Sequence, residues 1–198
     1  MIQGIDVSEN NGYLSEDFWQ EAADMGIRFA YIRCSYGRTG VDEQFQHNVD
    51  MAHKVGMQVG AYHYGYGLNV SQAIEEATHC RQVIEDAGVF LELPVFYDME
   101  DADGYKARHN FAFDPIEMTD MCRNFGEALG LNWGVYASYS WLENYIAWRT
   151  LGCPVWNAQW GYTDDIAGFV WQDSGDKGKT FSIGGRIIDH NYMYLEEE

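Results

Sequence analysis

Pro94-Val95-Phe96-Tyr97-Asp98-Met99-Glu100 is a short apolar run that ends in two carboxylates. Its β-branched and aromatic residues, opened by a proline and preceded by Leu93, read as a buried strand over 93–98. Alternate side chains of a strand share a face, so Asp98 and Glu100 project the same way and Met99 turns to the other. Two carboxyls that close repel each other, and burial adds to the cost. At least one should therefore keep a proton near neutrality. The chemistry open to the pair depends on where this strand ends, and its neighbours along the chain answer that.

Working outward, similar runs occupy residues 2–7, 29–34, 58–64, 134–137, 154–158, 169–172 and 186–189. Helical periodicity falls between the early ones, over 15–25, 42–55, 71–87 and 114–129, with a shorter segment near 141–148. Ser15 and Ser71 are placed to cap two of these helices. Gly26, Gly56, Gly88 and Gly130 each stand just beyond a helical run, where a left-handed stop requires no Cβ. Strand alternating with helix implies a parallel sheet, and about eight strands in this length imply closure. The gaps after Ala158 and Gln172 are too short, and too rich in Gly and Asp, for full crossover helices. The expected class is therefore α/β, an irregular (β/α) barrel with about eight strands and fewer than eight helices, with an open doubly wound sheet as its rival. Residues 1–195 are expected to form one domain, and 196–198 an acidic tail or the start of a linker.

Composition narrows the partners. The 198 residues carry 12 basic and 31 acidic side chains, a formal charge of -19 that would repel a nucleic-acid backbone. No stretch has the length of a membrane span, so neither nucleic acid nor membrane is an expected partner. The first residues lack the basic and apolar segments of a secretion signal, which leaves the compartment open. Cys34, Cys80, Cys122 and Cys153 form no ligand pair and read as buried thiols. The histidines show no metal-ligand spacing, and His63 reads as a hydrogen-bonded core residue. No metal or other cofactor is implied.

In a barrel the functional site is built at the C-terminal ends of the strands. Asp6, Ser35, Tyr36, His63, Tyr64, Asp98, Glu100, Tyr136, Gln159, Trp160, Gln172 and Asp189 finish the apolar runs. A protonated carboxyl beside an ionised one is equipped to break an acetal. Glu100, one step further out, is the candidate proton donor, and Asp98 is expected to stay ionised. Tyr62, Tyr64 and Tyr66, with Trp160, Tyr162 and Trp171 near the ends of the late strands, would offer flat faces for sugar rings. Two other readings fit the same residues: a metal-dependent phosphodiesterase holding a cation on Asp98, Glu100 and Asp189, and a glycan-binding module without catalysis.

Several separated motifs, in order along the whole chain, resemble glycoside hydrolase family 25, the muramidases or lysozymes. They are Gly4-Ile5-Asp6-Val7-Ser8 with Asn11-Gly12, Gly60-Ala61-Tyr62-His63-Tyr64, Tyr97-Asp98-Met99-Glu100, Trp156 to Trp160, Val170-Trp171-Gln172 and Asp189-His190-Asn191. The resemblance implies hydrolysis of the β-1,4 bond between N-acetylmuramic acid and N-acetylglucosamine in peptidoglycan, with retention. It implies Glu100 as general acid/base and Asp98 as its partner, either assisting the substrate N-acetyl group or attacking directly. Asp6 and Asp189 would be further site carboxylates, and Tyr62, Tyr64, Tyr136 and Trp160 would line the groove. One departure stands out: Asp173 takes the place of an aromatic in the family's Trp-Gln-Tyr-Ser. The absent signal fits a phage endolysin held in the host cytoplasm until lysis, with a secreted autolysin as the alternative. Because an acidic barrel gains nothing from an anionic wall, a wall-binding module after residue 198 is expected.

Overall fold

A computed structural model describes residues 1–175 and 180–195, so the acidic tail expected at 196–198 lies outside the described residues. Among the described residues the strands are β1 Ile2–Val7, β2 Ile27–Tyr36, β3 Gly40–Val41, β4 Gln58–Tyr64, β5 Val95–Asp98, β6 Trp133–Ser138, β7 Val155–Ala158, β8 Val170–Ser174, β9 Phe181–Ile183 and β10 Arg186–Met193. The helices are α1 Glu16–Asp24, α2 Phe45–Lys54, α3 Val70–Ala87, α4 Tyr105–Arg108, α5 Pro115–Leu129 and α6 Tyr139–Asn144.

Eight strands close into a barrel in the order β1-β2-β4-β5-β6-β7-β8-β10, with β10 returning to β1, while β3 and β9 extend β2 and β10 as hairpin partners. The pairs from β1 through β8 are parallel, as expected. β10 departs from the expected all-parallel sheet, because it runs antiparallel to both β8 and β1. The tight Gly184-Gly185 turn, both residues at positive φ, folds β9 back onto β10 and reverses the chain there. No helix spans the connections β7–β8 and β8–β10 among the described residues, in line with their composition.

Period-two alternation divides the strand residues between two cores. Inside the barrel lie Phe29, Tyr31, Phe96, Tyr136, Trp156, Val170 and Met193. Outside, Ala30, Ile32, Cys34, Val59, Ala61, Val95, Tyr97 and Val135 meet the helices. The interior is filled by large rings, so some strand positions facing them must be empty. A Cβ on Gly60 would come 2.2 Å from the Tyr31 ring, and one on Gly4 2.3 Å from Phe29.

The helix ends follow local chemistry. Ser15 accepts from Phe18 N–H at 3.4 Å, and Asp114 accepts from Ile116 and Glu117 N–H ahead of Pro115. The cap of α3 is Asn69 rather than Ser71, its Oδ1 receiving Gln72 N–H at 3.0 Å. The stop glycines Gly26, Gly56, Gly88 and Gly130 all take positive φ. The four cysteines are free thiols, with Cys34, Cys80 and Cys122 buried.

Gly126, inside α5, allows two opposed effects to be weighed. Alanine in a helix interior normally gains up to about 1 kcal/mol over glycine. Here a Cβ would lie 1.9 Å from the Trp133 indole, and overpacking typically costs about 1–3 kcal/mol. Gly126→Ala should therefore lower the thermal midpoint despite its better helix propensity, and a raised midpoint would show that Trp133 yields easily.

Candidate active site

The alternation that fills the barrel also builds its mouth. Continuing upward along the inward face, Phe29 and Tyr31 are followed by Arg33, Tyr62 by Tyr64, Phe96 by Asp98, and Val170 by Gln172. Apolar rings form the floor and polar groups the rim. They line a cleft of about 680 Å³ that contains all eight residues assigned to the site by the family resemblance: Asp6, Tyr62, Tyr64, Asp98, Glu100, Tyr136, Trp160 and Asp189.

Asp189 reaches the cleft for a reason other than the one expected. β10 is antiparallel, so this residue belongs to the strand's first half, where it stands in register with Asp6 at the C-terminal end of β1. Asp98 is paired in register with Tyr64 on one side and Tyr136 on the other. Met99 turns into the outer core and is fully buried, and its N–H donates to Tyr136 O at 2.9 Å. Glu100 thus returns to the cleft face one step above Asp98.

Burial pushes both carboxyls of the pair up. Glu100 rises to about 7, with the charges of Asp6, Asp103 and Asp101 adding to the effect of burial and Lys106 opposing it. Asp98 is 5 % exposed and is held well above the usual carboxylate range by burial and then by the Glu100 charge. The expectation that at least one of the pair holds a proton near neutrality agrees with these shifts. The expectation that Asp98 simply stays ionised does not, because Asp98 is the more deeply enclosed. Its Oδ1 is buried and accepts no hydrogen bond among the described residues.

Asp6 is held differently. Its Oδ2 accepts from Asn191 Nδ2 at 2.7 Å and from Gln172 Nε2 at 2.9 Å, yet burial still raises it to about 6. Gln172 is the hub of this side, since its Oε1 accepts from Tyr136 O–H and from Trp160 Nε1–H, both at 3.1 Å. Asn191 is itself fixed by Trp156, whose Nε1–H donates to Asn191 Oδ1 at 2.8 Å. Trp160 is 44 % exposed at the rim.

Some residues fall elsewhere. Asp173 lies on the opposite face of β8 from Gln172, where His190 Nδ1 approaches its Oδ1 at 2.6 Å, so the departure from the family's Trp-Gln-Tyr-Ser does not reach the cleft. Trp171 also faces outward, stacked on Tyr192. His63 is fully buried against Tyr97 and Phe125, with Nδ1 2.7 Å from Ser35 Oγ. Burial lowers it to about 3, so it is a neutral core residue. Among the described residues no group of three or more His, Cys, Asp or Glu is arranged to hold a metal ion.

Arg33 was not singled out from the sequence. It lines the cleft, held by Asp42 at 2.9 Å and Glu9 at 3.0 Å, with its guanidinium 5.0 Å from the Tyr36 ring centre. The available signal was a lone cation in the apolar run Phe29-Ala30-Tyr31-Ile32-Arg33-Cys34, two residues beyond Tyr31 and on the same face.

Two buried carboxyls at the mouth of an irregular α/β barrel, ringed by aromatic side chains, are the arrangement that barrel glycosidases use. The model of the family "Glycosyl hydrolases family 25" matches residues 5–175, and the chain belongs to that family. It is 26% identical over 182 residues to the autolytic lysozyme of Clostridium acetobutylicum, covering 88% of this chain and 51% of that protein. The chain thus spans about half the length of that relative. Among solved structures it resembles the bacterial lysozyme of Streptomyces coelicolor, with a TM-score of 0.75 at 22% identity over 97% of this chain and 91% of that one. The catalytic domain of the endolysin ply40, from a bacteriophage of Listeria monocytogenes, superposes with a TM-score of 0.74 at 21% identity, covering 98% and 93% respectively. These likenesses establish the shared fold.

Proposed function

We propose that residues 1–195 form the catalytic domain of an N-acetylmuramidase that cleaves the β-1,4 bond between N-acetylmuramic acid and N-acetylglucosamine in peptidoglycan, with retention. The observation that carries this reading is the Asp98–Glu100 pair, both raised by burial, with Asp98 Oδ1 left without a donor from the described residues. An orphaned buried acceptor is costly unless a partner supplies a donor. The N–H of a substrate acetamide is such a donor.

In this mechanism Glu100, protonated up to about pH 7, gives its proton to the leaving glycosidic oxygen. Asp98 accepts the acetamide N–H and turns the acetamide oxygen toward the anomeric carbon of its own sugar, where high effective molarity favours attack. In the substrate complex the pair carries one proton, on Glu100: the acetamide N–H and the positive charge that grows on the sugar offset the cost of an ionised Asp98, whose own proton passes to solvent as the substrate binds. Glu100, now a carboxylate, activates the water that opens the intermediate from the same face. Asp6 and Asp189 accept substrate hydroxyls, and Tyr62, Tyr64, Tyr136 and Trp160 pack against sugar faces.

The site of action is the bacterial wall, reached as a phage endolysin or as a secreted autolysin. A charge of -19 offers no attraction to an anionic wall, which supports attachment through a module distinct from the barrel. Among the described residues no helix is long and apolar enough to cross a membrane.

Mass spectrometry of digested peptidoglycan tests the reading. Fragments should end in reducing N-acetylmuramic acid, whereas ends in reducing N-acetylglucosamine, or intact glycan, would overturn it. Asp98→Asn, which keeps the shape but not the charge, should lower kcat on the order of 10²–10³-fold in a reducing-end assay. Retention of more than about a tenth of the rate would remove Asp98 from its role.

A further inference from the structure

The turn that carries Glu100 is held from behind by a cation. Lys106, on the four-residue helix α4, is 1 % exposed. Its Nζ donates to the backbone carbonyl of Glu100 at 2.9 Å and also to that of Gly65. Gly65 follows β4, and its own N–H donates to the carbonyl of Asp98 at 3.0 Å. One ammonium group therefore ties together the segments that present Tyr64 and Tyr66 on one side and Asp98 and Glu100 on the other.

The surroundings fix both partners. Asp101 receives Lys106 N–H at 2.7 Å and Ala107 N–H at 3.1 Å, which anchors α4 directly after Glu100. Glu76 of α3, fully buried, receives Tyr66 N–H at 2.7 Å and Tyr97 O–H at 2.9 Å and so holds the turn after β4. A Cβ on Gly65 would come 2.7 Å from the Tyr97 ring, so glycine is required for this close passage.

We infer that Lys106 is a positioning residue for the acid, setting both the place of Glu100 and the electrostatic balance of the pair; this rests on the proposed role of Glu100. The groups that face Lys106 are Glu76 from α3, Asp98 from β5, Glu100 and Asp101 from the turn, His63 from β4 and Cys122 from α5; burial lowers Lys106, and the four carboxylates favour its charged form. Those that face Glu100 are Asp6, Asp98, Asp101 and Asp103, together with the phenols of Tyr64 and Tyr136. Against those carboxylates Lys106 is a cation that favours the ionised form of Glu100. Removing it should raise the value of Glu100 further and carry the alkaline limb of the rate profile to higher pH.

The test compares the full chain with Lys106→Met and Lys106→Gln, measuring release of reducing ends from peptidoglycan across pH, with Glu100→Gln in parallel. Lys106→Met is expected to lower kcat on the order of ten- to a hundredfold, because small displacements of a catalytic group are expensive. KM should change less than about twofold, and the alkaline limb should move upward. Lys106→Gln keeps an N–H donor without the charge, so it should recover part of the rate and keep the displaced limb; it carries the test if the methionine variant does not fold. A lower melting temperature with an unmoved limb would reduce Lys106 to a structural tie and overturn the inference, as would wild-type kinetics in either variant. An inactive Glu100→Gln beside an unmoved Lys106 limb defeats the inference alone. A fully active Glu100→Gln defeats the proposed function and the inference together.

Discussion

Replacing Glu100 by Gln is expected to lower the hydrolytic rate on the order of 10²–10⁴-fold while making the fold more stable above neutral pH. The two effects share one cause. Glu100 titrates at about 7 in the native protein against a reference of 4.5, so between those values the native state binds more protons than the unfolded state. Stability then falls as pH rises through this window, and above it the full penalty remains. At about 1.4 kcal/mol per unit that penalty is on the order of 3–4 kcal/mol. A neutral glutamine removes it, so the thermal midpoint of Glu100→Gln should exceed that of the parent at pH 8 and converge with it near pH 4. Equal midpoints at both pH values would show that Glu100 is solvated in the native state.

The second large effect is expected at the barrel floor. Trp156 is 1 % exposed and packs among the rings of Tyr31, Tyr136, Phe96 and Tyr62, with centroids 4.7, 4.7, 5.4 and 6.0 Å away. Truncating such a residue to alanine costs about 3–5 kcal/mol, a large part of a typical domain's 5–15 kcal/mol. Trp156→Ala should therefore lower the thermal midpoint by roughly 6–20 °C, at about 2–4 °C per kcal/mol. Activity should fall as well, since Trp156 holds Asn191 and Asn191 holds Asp6. Trp160→Ala, at the exposed rim, should leave the midpoint nearly unchanged. A midpoint for Trp156→Ala within about 3 °C of the parent would mean that the interior rings repack to fill the space.

These effects trace to a pattern that the chain displays openly. The inward series Phe29-Tyr31, Gly60-Tyr62 and Phe96-Asp98 alternates with aliphatic residues that face the helices. Period two therefore reveals both the strands and the level at which rings give way to polar groups. That is why Asp6, Asp98, Glu100, Tyr62, Tyr64, Tyr136 and Trp160 could be placed at one mouth from sequence. The direction of β10 could not be read the same way, because alternation is identical in either sense along a strand; the cue was the Gly184-Gly185 turn. Helix α4 escaped because four residues do not complete enough turns to show a helical period. Nothing in the acidic segment around Lys106 marks it as buried, although Asp101, Glu76 and two carbonyls enclose it. Its importance depends on contacts across the fold that no local window contains.

The reversal of the last barrel strand has a topological result. Ile2 stands in register with Met193, so the first and last segments of the barrel are neighbours at the pole away from the cleft. Whatever is joined to either segment is therefore attached at the pole opposite the groove. Cargo joined at this seam would hang behind the enzyme and leave the glycan's path clear.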